Sequence, residues 1–77
     1  MQQLEFQLVD AYIELHQLLK LTGICDSGGA GKALVAAGVV KVDGALELRK
    51  TCKIRAGQTV RVKTAEIRVL GSMPAQE

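Results

Sequence analysis

The segment SGGAGKALVAAGVVKVDG, residues 27–44, constrains the fold of this chain more than any other part of it. Ser27 predicts a helix N-cap, because its hydroxyl can accept a hydrogen bond from a free N–H group of the first turn. Gly38 predicts the end of that helix. Residues 39–42 then predict a strand, and the Asp-Gly pair that follows is a strong signal for a two-residue hairpin turn. A helix is therefore expected to lead directly into a β-hairpin.

The residues on either side extend this pattern to a helix pair and a small sheet. Apolar and polar residues alternate over residues 4–9, which predicts a first strand. The apolar residues that follow have helical spacing, which predicts a first helix. This helix starts at Asp10 or, as we prefer, at Glu14, and it ends at Gly23. Further strands are predicted at 45–48, 59–63 and 67–70. Residues 49–56 are predicted to be irregular, with Ile54 as their one core residue, and residues 71–77 to form a flexible tail.

The second helix is predicted to pack closely on the first. Ala30, Ala33, Leu34 and Ala37 fall within one narrow sector of a helical projection, and their small size permits a close approach. Lys32 projects to the opposite side, into solvent. The sequence thus separates a packing face from a charged face on the same helix.

The basic residues are unevenly distributed along a chain long enough for one small domain of 77 residues. All ten lie between Lys20 and Arg68, where only four acidic residues accompany them. Such a local excess favours a polyanionic partner, although the formal net charge of the whole chain is only +2. The sequence shows neither a signal-peptide pattern nor an apolar run of about 20 residues, so we expect a cytoplasmic protein without a membrane partner.

Few residues are suited to catalysis or metal binding. His16 is the one histidine, and Cys25 and Cys52 are 27 positions apart, so a zinc site lacks its usual ligands and spacing. The phosphate-loop pattern fails, since Asp26 stands at its first glycine and Ala33 at its Ser/Thr position. For Cys52 we favour a partly buried apolar role over a thiol whose pKa is lowered by cationic neighbours. We therefore expect no enzyme activity, no cofactor, no metal and no small-molecule substrate.

Two groups of residues are candidates for binding an anion. Gly28 and Gly29 leave the N–H groups of a helix start unshielded, which suits a phosphate; alternatively, the glycines only allow the helices to pack closely. The second group is a basic segment without acidic residues at 49–55, which Lys32 and Lys41 are predicted to extend. A solvated loop is the alternative for that segment. Because Phe6 and Tyr12 are the only aromatic residues, we expect recognition through phosphates, 2′-hydroxyls and shape, with low sequence specificity.

A string of linked motifs resembles a known family. The motifs are IELHQLLK at 13–20, SGG at 27–29 with Lys32, GVVKVDG at 38–44, ELRK at 47–50, and the KI, GQ and V of 53–60. Together they resemble the RNA-binding domain of small-subunit ribosomal protein four, and more closely its small stand-alone bacterial relatives. The resemblance implies an αL RNA-binding motif at 12–63 within a single domain at 1–70. The implied fold is α+β, with two short helices packed on a small, mostly antiparallel sheet.

The resemblance also indicates the nature of the partner and the residues that contact it. Many family members have arginine where this chain has Gly28, and asparagine where it has Asp43. We expect a non-catalytic, monomeric protein that binds structured RNA, with ribosomal or transfer RNA as targets. The alternative is a module that docks on an acidic ribosome-associated protein. The predicted RNA-binding residues are Lys20, Ser27, Gly28, Gly29, Lys32, Lys41, Arg49, Lys50, Lys53 and Arg55.

Overall fold

The computed structural model describes residues 2–63 and 65–71. In chain order these residues form β1 (Gln2–Leu8), β2 (Ile13–Glu14), α1 (Leu15–Leu21), α2 (Gly28–Ala36), β3 (Val40–Val42), β4 (Ala45–Leu46), β5 (Lys53–Ile54), β6 (Thr59–Val62) and β7 (Ala65–Gly71). The tail predicted at 71–77 lies outside the described residues except for Gly71, which is the last residue of β7. Within the described part of the chain, neither helix has the length and apolar character of a membrane span.

Five strands form one mixed sheet in the order β1-β7-β6-β3-β4. The β1–β7 pair is parallel, while the β7–β6, β6–β3 and β3–β4 pairs are antiparallel. A parallel pair requires a long crossover connection, and the elements from β2 to β6 provide it. The predicted α+β class, with two short helices on a mostly antiparallel sheet, is confirmed.

A second, two-stranded sheet joins the basic segment to the start of α1. In the antiparallel β2–β5 pair, Ile13 lies opposite Ile54 and Glu14 opposite Lys53. The backbone N–H of Leu15 also donates to the carbonyl of Cys52 at 2.9 Å. The prediction of an irregular segment at 49–56 is therefore wrong for Lys53 and Ile54. The burial of Ile54, which was predicted, is confirmed, and it brings this segment against the helices.

The hydrophobic core lies between the helix pair and one face of the five-stranded sheet. Leu15, Leu18 and Leu19 of α1 are completely buried, as is Val35 of α2. They belong to a single apolar cluster that also contains Val40, Val42, Val60, Val62, Ile67 and Val69 from the sheet. Since successive strand residues point to opposite faces, the residues between these valines are directed away from the helices.

The contact face of α2 differs from the predicted one. Ala30, Ala33 and Ala37 are exposed and Leu34 is half-buried, whereas Gly31 and Val35 are buried. The helix approaches α1 so closely that a Cβ atom at position 31 would lie 2.7 Å from the carbonyl oxygen of His16. The absence of a side chain at Gly31 sets the contact, and the sector of alanines turns outward. Because Gly31 has no side chain, a helical projection of apolar side chains does not reveal this contact.

The hairpin predicted at the Asp-Gly pair is confirmed, although its strands are shorter than expected. Asp43 and Gly44 both have positive φ, 51° and 85°, as a type I′ turn requires. The Asp43 carboxylate accepts hydrogen bonds from the backbone N–H of Thr59 at 2.9 Å and from Nε2 of Gln58 at 3.2 Å. The turn is thus attached to the start of β6.

Candidate functional site

Three of the predicted cationic residues line a single groove between α2 and the segment that precedes β5. The groove has a volume of about 540 Å³. Lys32 of α2 lies on one side, and Arg49 and Lys50 lie on the other, with small and apolar residues between them. All three cations are exposed. We call this feature the basic groove; its lining is Lys32, Ala33, Ala36, Leu48, Arg49, Lys50 and Thr51.

Arg49 is held in place by Glu47. Its Nε lies 2.9 Å from Oε2 of Glu47 and its Nη2 lies 3.3 Å from Oε1, while its backbone N–H donates to Oε2 at 3.0 Å. These hydrogen bonds, first from the guanidinium and then from the backbone, lower the pKa of Glu47 to about 2. The Arg49 side chain nevertheless stays 76% exposed, so it remains accessible to an anion.

Lys32 and Lys50 are the uncompensated charges of the basic groove. Within residues 2–63 and 65–71, no carboxylate lies within 4.0 Å of either ammonium group. Two like charges facing one groove repel each other, and a bound polyanion relieves that repulsion. The electrostatics of the groove therefore favour an anionic ligand.

The N-terminus of α2 is capped as predicted. Oγ of Ser27 accepts a hydrogen bond from the N–H of Ala30 at 3.2 Å, and its carbonyl accepts from Gly31 at 3.1 Å. The N–H groups of Gly28 and Gly29 belong to the first turn of α2, where backbone N–H groups have no hydrogen-bond acceptor within the helix. Lys32 is four residues beyond Gly28, so it lies on the same side of the helix.

Close packing does not explain Gly28 and Gly29. A Cβ atom at position 28 would lie 3.9 Å from Nδ1 of His16, and one at position 29 would lie 3.8 Å from Oγ of Ser27, both ordinary van der Waals distances. The packing alternative raised from the sequence therefore applies to Gly31 instead. The two glycines at the cap leave the backbone open, which is what close approach of a phosphate requires.

His16 occupies the junction between the two helices. Its side chain is only 12% exposed, and Nε2 lies 2.9 Å from Oε1 of Glu14. Nδ1 is buried without a hydrogen-bond partner among the residues described. Its backbone N–H donates to the carbonyl of Lys50 at 3.0 Å, which fixes the basic segment to α1. The sequence shows a flanking histidine but does not reveal this positioning contact.

Lys53 and Arg55 lie around Tyr12 instead of in the basic groove. Nζ of Lys53 is 5.0 Å from the centroid of the Tyr12 ring, and Cζ of Arg55 is 5.8 Å from it. Both distances are within the range of cation–π interactions. Tyr12 was not predicted as a site residue, because a single tyrosine gives no pattern in the sequence.

Lys41 and Lys20 are not brought into the basic groove. Lys41 stands between buried Val40 and Val42, so it projects from the outer face of the sheet, away from the helices. There it lines a separate groove with Asp43, Arg61 and other residues. Lys20 is exposed in the last turn of α1, and no α1 residue lines the basic groove. The predicted cations therefore form several surfaces, not one continuous face.

The thiol of Cys52 does not have the properties of a reactive group. Burial raises its pKa, and the neighbouring Glu47 carboxylate raises it further. The side chain is half-buried and packs against the hydrophobic core. The alternative of a pKa lowered by cationic neighbours is wrong, because the desolvation of the thiolate and the nearby carboxylate outweigh Arg49.

The fold and this site together define the class of protein. The model of the S4 domain family matches residues 6–70, and the chain therefore belongs to that family. The match extends beyond the core at 12–63 to include the last three residues of β1 and all of β7 but Gly71. The resemblance to the domain of small-subunit ribosomal protein four, noted from the motifs, is confirmed.

Individual relatives narrow the comparison within the family. The chain is similar to two proteins named YbcJ, one from Escherichia coli (strain K12) and one from Shigella flexneri. Each is 51% identical over 59 residues, which are 77% of this chain and 84% of the relative. The solution structure of E. coli YbcJ, with an αL motif involved in RNA binding, matches with a TM-score of 0.69 and 48% identity. That match covers 86% of this chain and 85% of YbcJ.

Proposed function

We propose that this chain is a non-catalytic RNA-binding protein that holds the backbone of structured RNA. The observation that carries the proposal is the basic groove, where Lys32, Arg49 and Lys50 line one surface although they come from distant parts of the chain. The capped start of α2 lies one turn before Lys32, outside the residues that line the groove. A phosphate at that helix start and the next ones along the groove would each meet a donor or a cation.

RNA is the polyanion that the comparisons favour. The αL motif of E. coli YbcJ is described as involved in RNA binding, and that protein is 48% identical to this chain over most of its length. Ribosomal RNA and transfer RNA, both folded, are the proposed targets, because the groove presents charge without a row of stacking side chains. A monomeric state and a cytoplasmic location remain predictions.

The electrostatic origin of the binding sets its salt dependence. Five cations lie in the basic groove or beside Tyr12, namely Lys32, Arg49, Lys50, Lys53 and Arg55. If about five phosphates are neutralised, the logarithm of the association constant should fall with the logarithm of salt concentration with a slope of roughly −3.5 to −4.5. The measured slope therefore gives the number of phosphate contacts, which can be compared with these five cations.

Fluorescence anisotropy with the full chain and labelled transfer RNA or a ribosomal RNA fragment would test the proposal. We expect binding at low salt and a linear decrease of log affinity within that range of slopes. Affinity that does not depend on salt, or the absence of binding to either RNA at low salt, would contradict it. Nuclease treatment of co-purified partners separates the alternative, because an acidic protein partner would stay bound after the RNA is digested.

A further inference from the structure

Tyr12 has an exposed aromatic ring that two cations hold in position. The side chain is 39% exposed, in the segment between β1 and β2. Nζ of Lys53 and Cζ of Arg55 lie 5.0 and 5.8 Å from the ring centroid. Cation–π contacts of this kind orient the ring without burying it. Tyr12 therefore remains partly exposed although two cations contact its ring.

The same ring forms part of the wall of a groove of about 390 Å³. Phe6, Val9 and Leu21 contribute apolar surface, and Val9 and Leu21 are 74% and 62% exposed. Such apolar side chains at the mouth of a cleft suit a ligand with an apolar face. The volume lies at the small end of the range of about 300–1,000 Å³ for ligand sites, so one small planar group fits better than a large ligand.

The charged residues around Tyr12 indicate which chemical groups such a ligand would carry at each end. Asp10 and Glu14 line the groove and present carboxylates, which accept hydrogen bonds and repel a phosphate. Lys53 and Arg55 contact the ring but do not line the groove. A ligand with amino groups on a flat ring and an attached phosphate satisfies both sides. A nucleotide has this arrangement.

We propose that Tyr12 stacks on a single unpaired base of the bound RNA, with Lys53 and Arg55 holding its phosphate. The inference rests on the proposed function and adds a base-contacting position to it. The groove carboxylates accept from an exocyclic amino group, as acidic side chains do from N4 of cytosine, so the site favours cytosine over uracil. The general expectation of weak sequence specificity then has one local exception.

The basic segment connects this site to the basic groove. Lys50 lines the groove and Lys53 lies over Tyr12, and these residues are three positions apart. Even a fully extended chain separates them by only roughly 10 Å. One RNA segment can therefore have its backbone in the groove and an adjacent unpaired nucleotide at Tyr12.

The chain contains one tyrosine and no tryptophan, so its intrinsic fluorescence reports on Tyr12 alone. Three hairpin RNAs serve as probes: one with a single bulged cytidine, one with a bulged uridine in its place, and one fully paired. With the wild-type chain we expect strong quenching by the cytidine bulge, weaker quenching by the uridine bulge and little by the paired stem. Equal quenching by all three, when all three bind, would overturn the inference.

Two substitutions complete the test. Tyr12→Leu keeps an apolar side chain but removes the ring, and it should weaken binding of the cytidine-bulge RNA by about 5- to 150-fold, the effect of losing one base–aromatic stack. Tyr12→Phe, the matched control, should keep wild-type affinity. Neither should change binding of the paired stem or its salt slope. Thermal unfolding of both variants confirms that they fold.

The outcomes separate this inference from the proposed function. If the wild-type chain binds no RNA, the proposed function fails and the stacking site fails with it. If the chain binds all three RNAs and Tyr12→Leu weakens them equally or not at all, only the stacking site fails. Quenching by a poly-glutamate peptide, with none by bulged RNA, would assign Lys53 and Arg55 to an acidic protein partner and overturn the inference.

Discussion

Replacement of Gly31 by alanine tests the close approach of α1 and α2. The added Cβ would lie 2.7 Å from the backbone carbonyl oxygen of His16, a distance at which one of the two helices must shift. Overpacking costs about 1–3 kcal/mol, and a backbone obstacle that cannot rotate away belongs in the upper part of that range. Alanine recovers about 1 kcal/mol because it is a better helix former than glycine. The expected net loss of folding free energy is therefore about 1–2 kcal/mol.

Thermal unfolding followed by circular dichroism measures this loss. In a domain of this size each kcal/mol lowers Tm by roughly 4–8 °C, so Gly31→Ala should lower Tm by about 4–16 °C. Gly29→Ala is the matched control in the same helix, because its Cβ would meet only Oγ of Ser27, at an ordinary 3.8 Å. That control should leave Tm unchanged or slightly raised. A Gly31→Ala protein as stable as the Gly29→Ala protein would refute the close-contact argument.

Two further predictions concern the charges of the site. Lys32→Gln and Lys50→Gln should each weaken RNA binding and reduce the magnitude of the salt slope by about 0.7–0.9. Lys41→Gln, on the outer face of the sheet, should leave both the affinity and the slope unchanged. An equal effect of all three substitutions, measured by anisotropy, would contradict the separation of the surfaces. The pKa of Glu47 should be about 2, below its ordinary 4.5. Because the folded-state pKa is lowered, its pairing with Arg49 stabilises the fold above about pH 4.5 and is lost as the pH falls towards 2. NMR titration of the Glu47 carboxyl should show this low midpoint, and Arg49→Gln should raise it; an ordinary midpoint in the wild-type chain would refute the pairing.

The elements that local chemistry specifies could be predicted from the sequence. The cap at Ser27 depends on one hydroxyl and an N–H group three residues away, and the structure shows that hydrogen bond. The turn at Asp43 and Gly44 depends on residues that tolerate positive φ, which both adopt. The helix pair and the hairpin follow from such short-range features. The family motifs extended this to the fold class.

Long-range pairings could not be predicted in the same way. The parallel pairing of β1 with β7 joins the two ends of the described chain, and no local pattern indicates it. The packing of α2 through Gly31 depends on the position of the His16 carbonyl in another helix. Residues Lys53 and Ile54 become a strand only because β2 lies beside them.

The candidate site also has features that local sequence specifies and features that depend on long-range packing. Sequence alone determined that the chain has its excess of cations from Lys20 onwards, a capped glycine-rich helix start and a basic segment at 49–55, since charge and capping belong to individual residues and their neighbours. Only the tertiary structure decided which cations share a surface. It placed Lys32 with Lys50 in one groove, set Lys53 against Tyr12, and sent Lys41 to the far side of the sheet. The physical reason is that side-chain direction depends on strand alternation and on the packing of distant elements, which spacing along the chain does not contain.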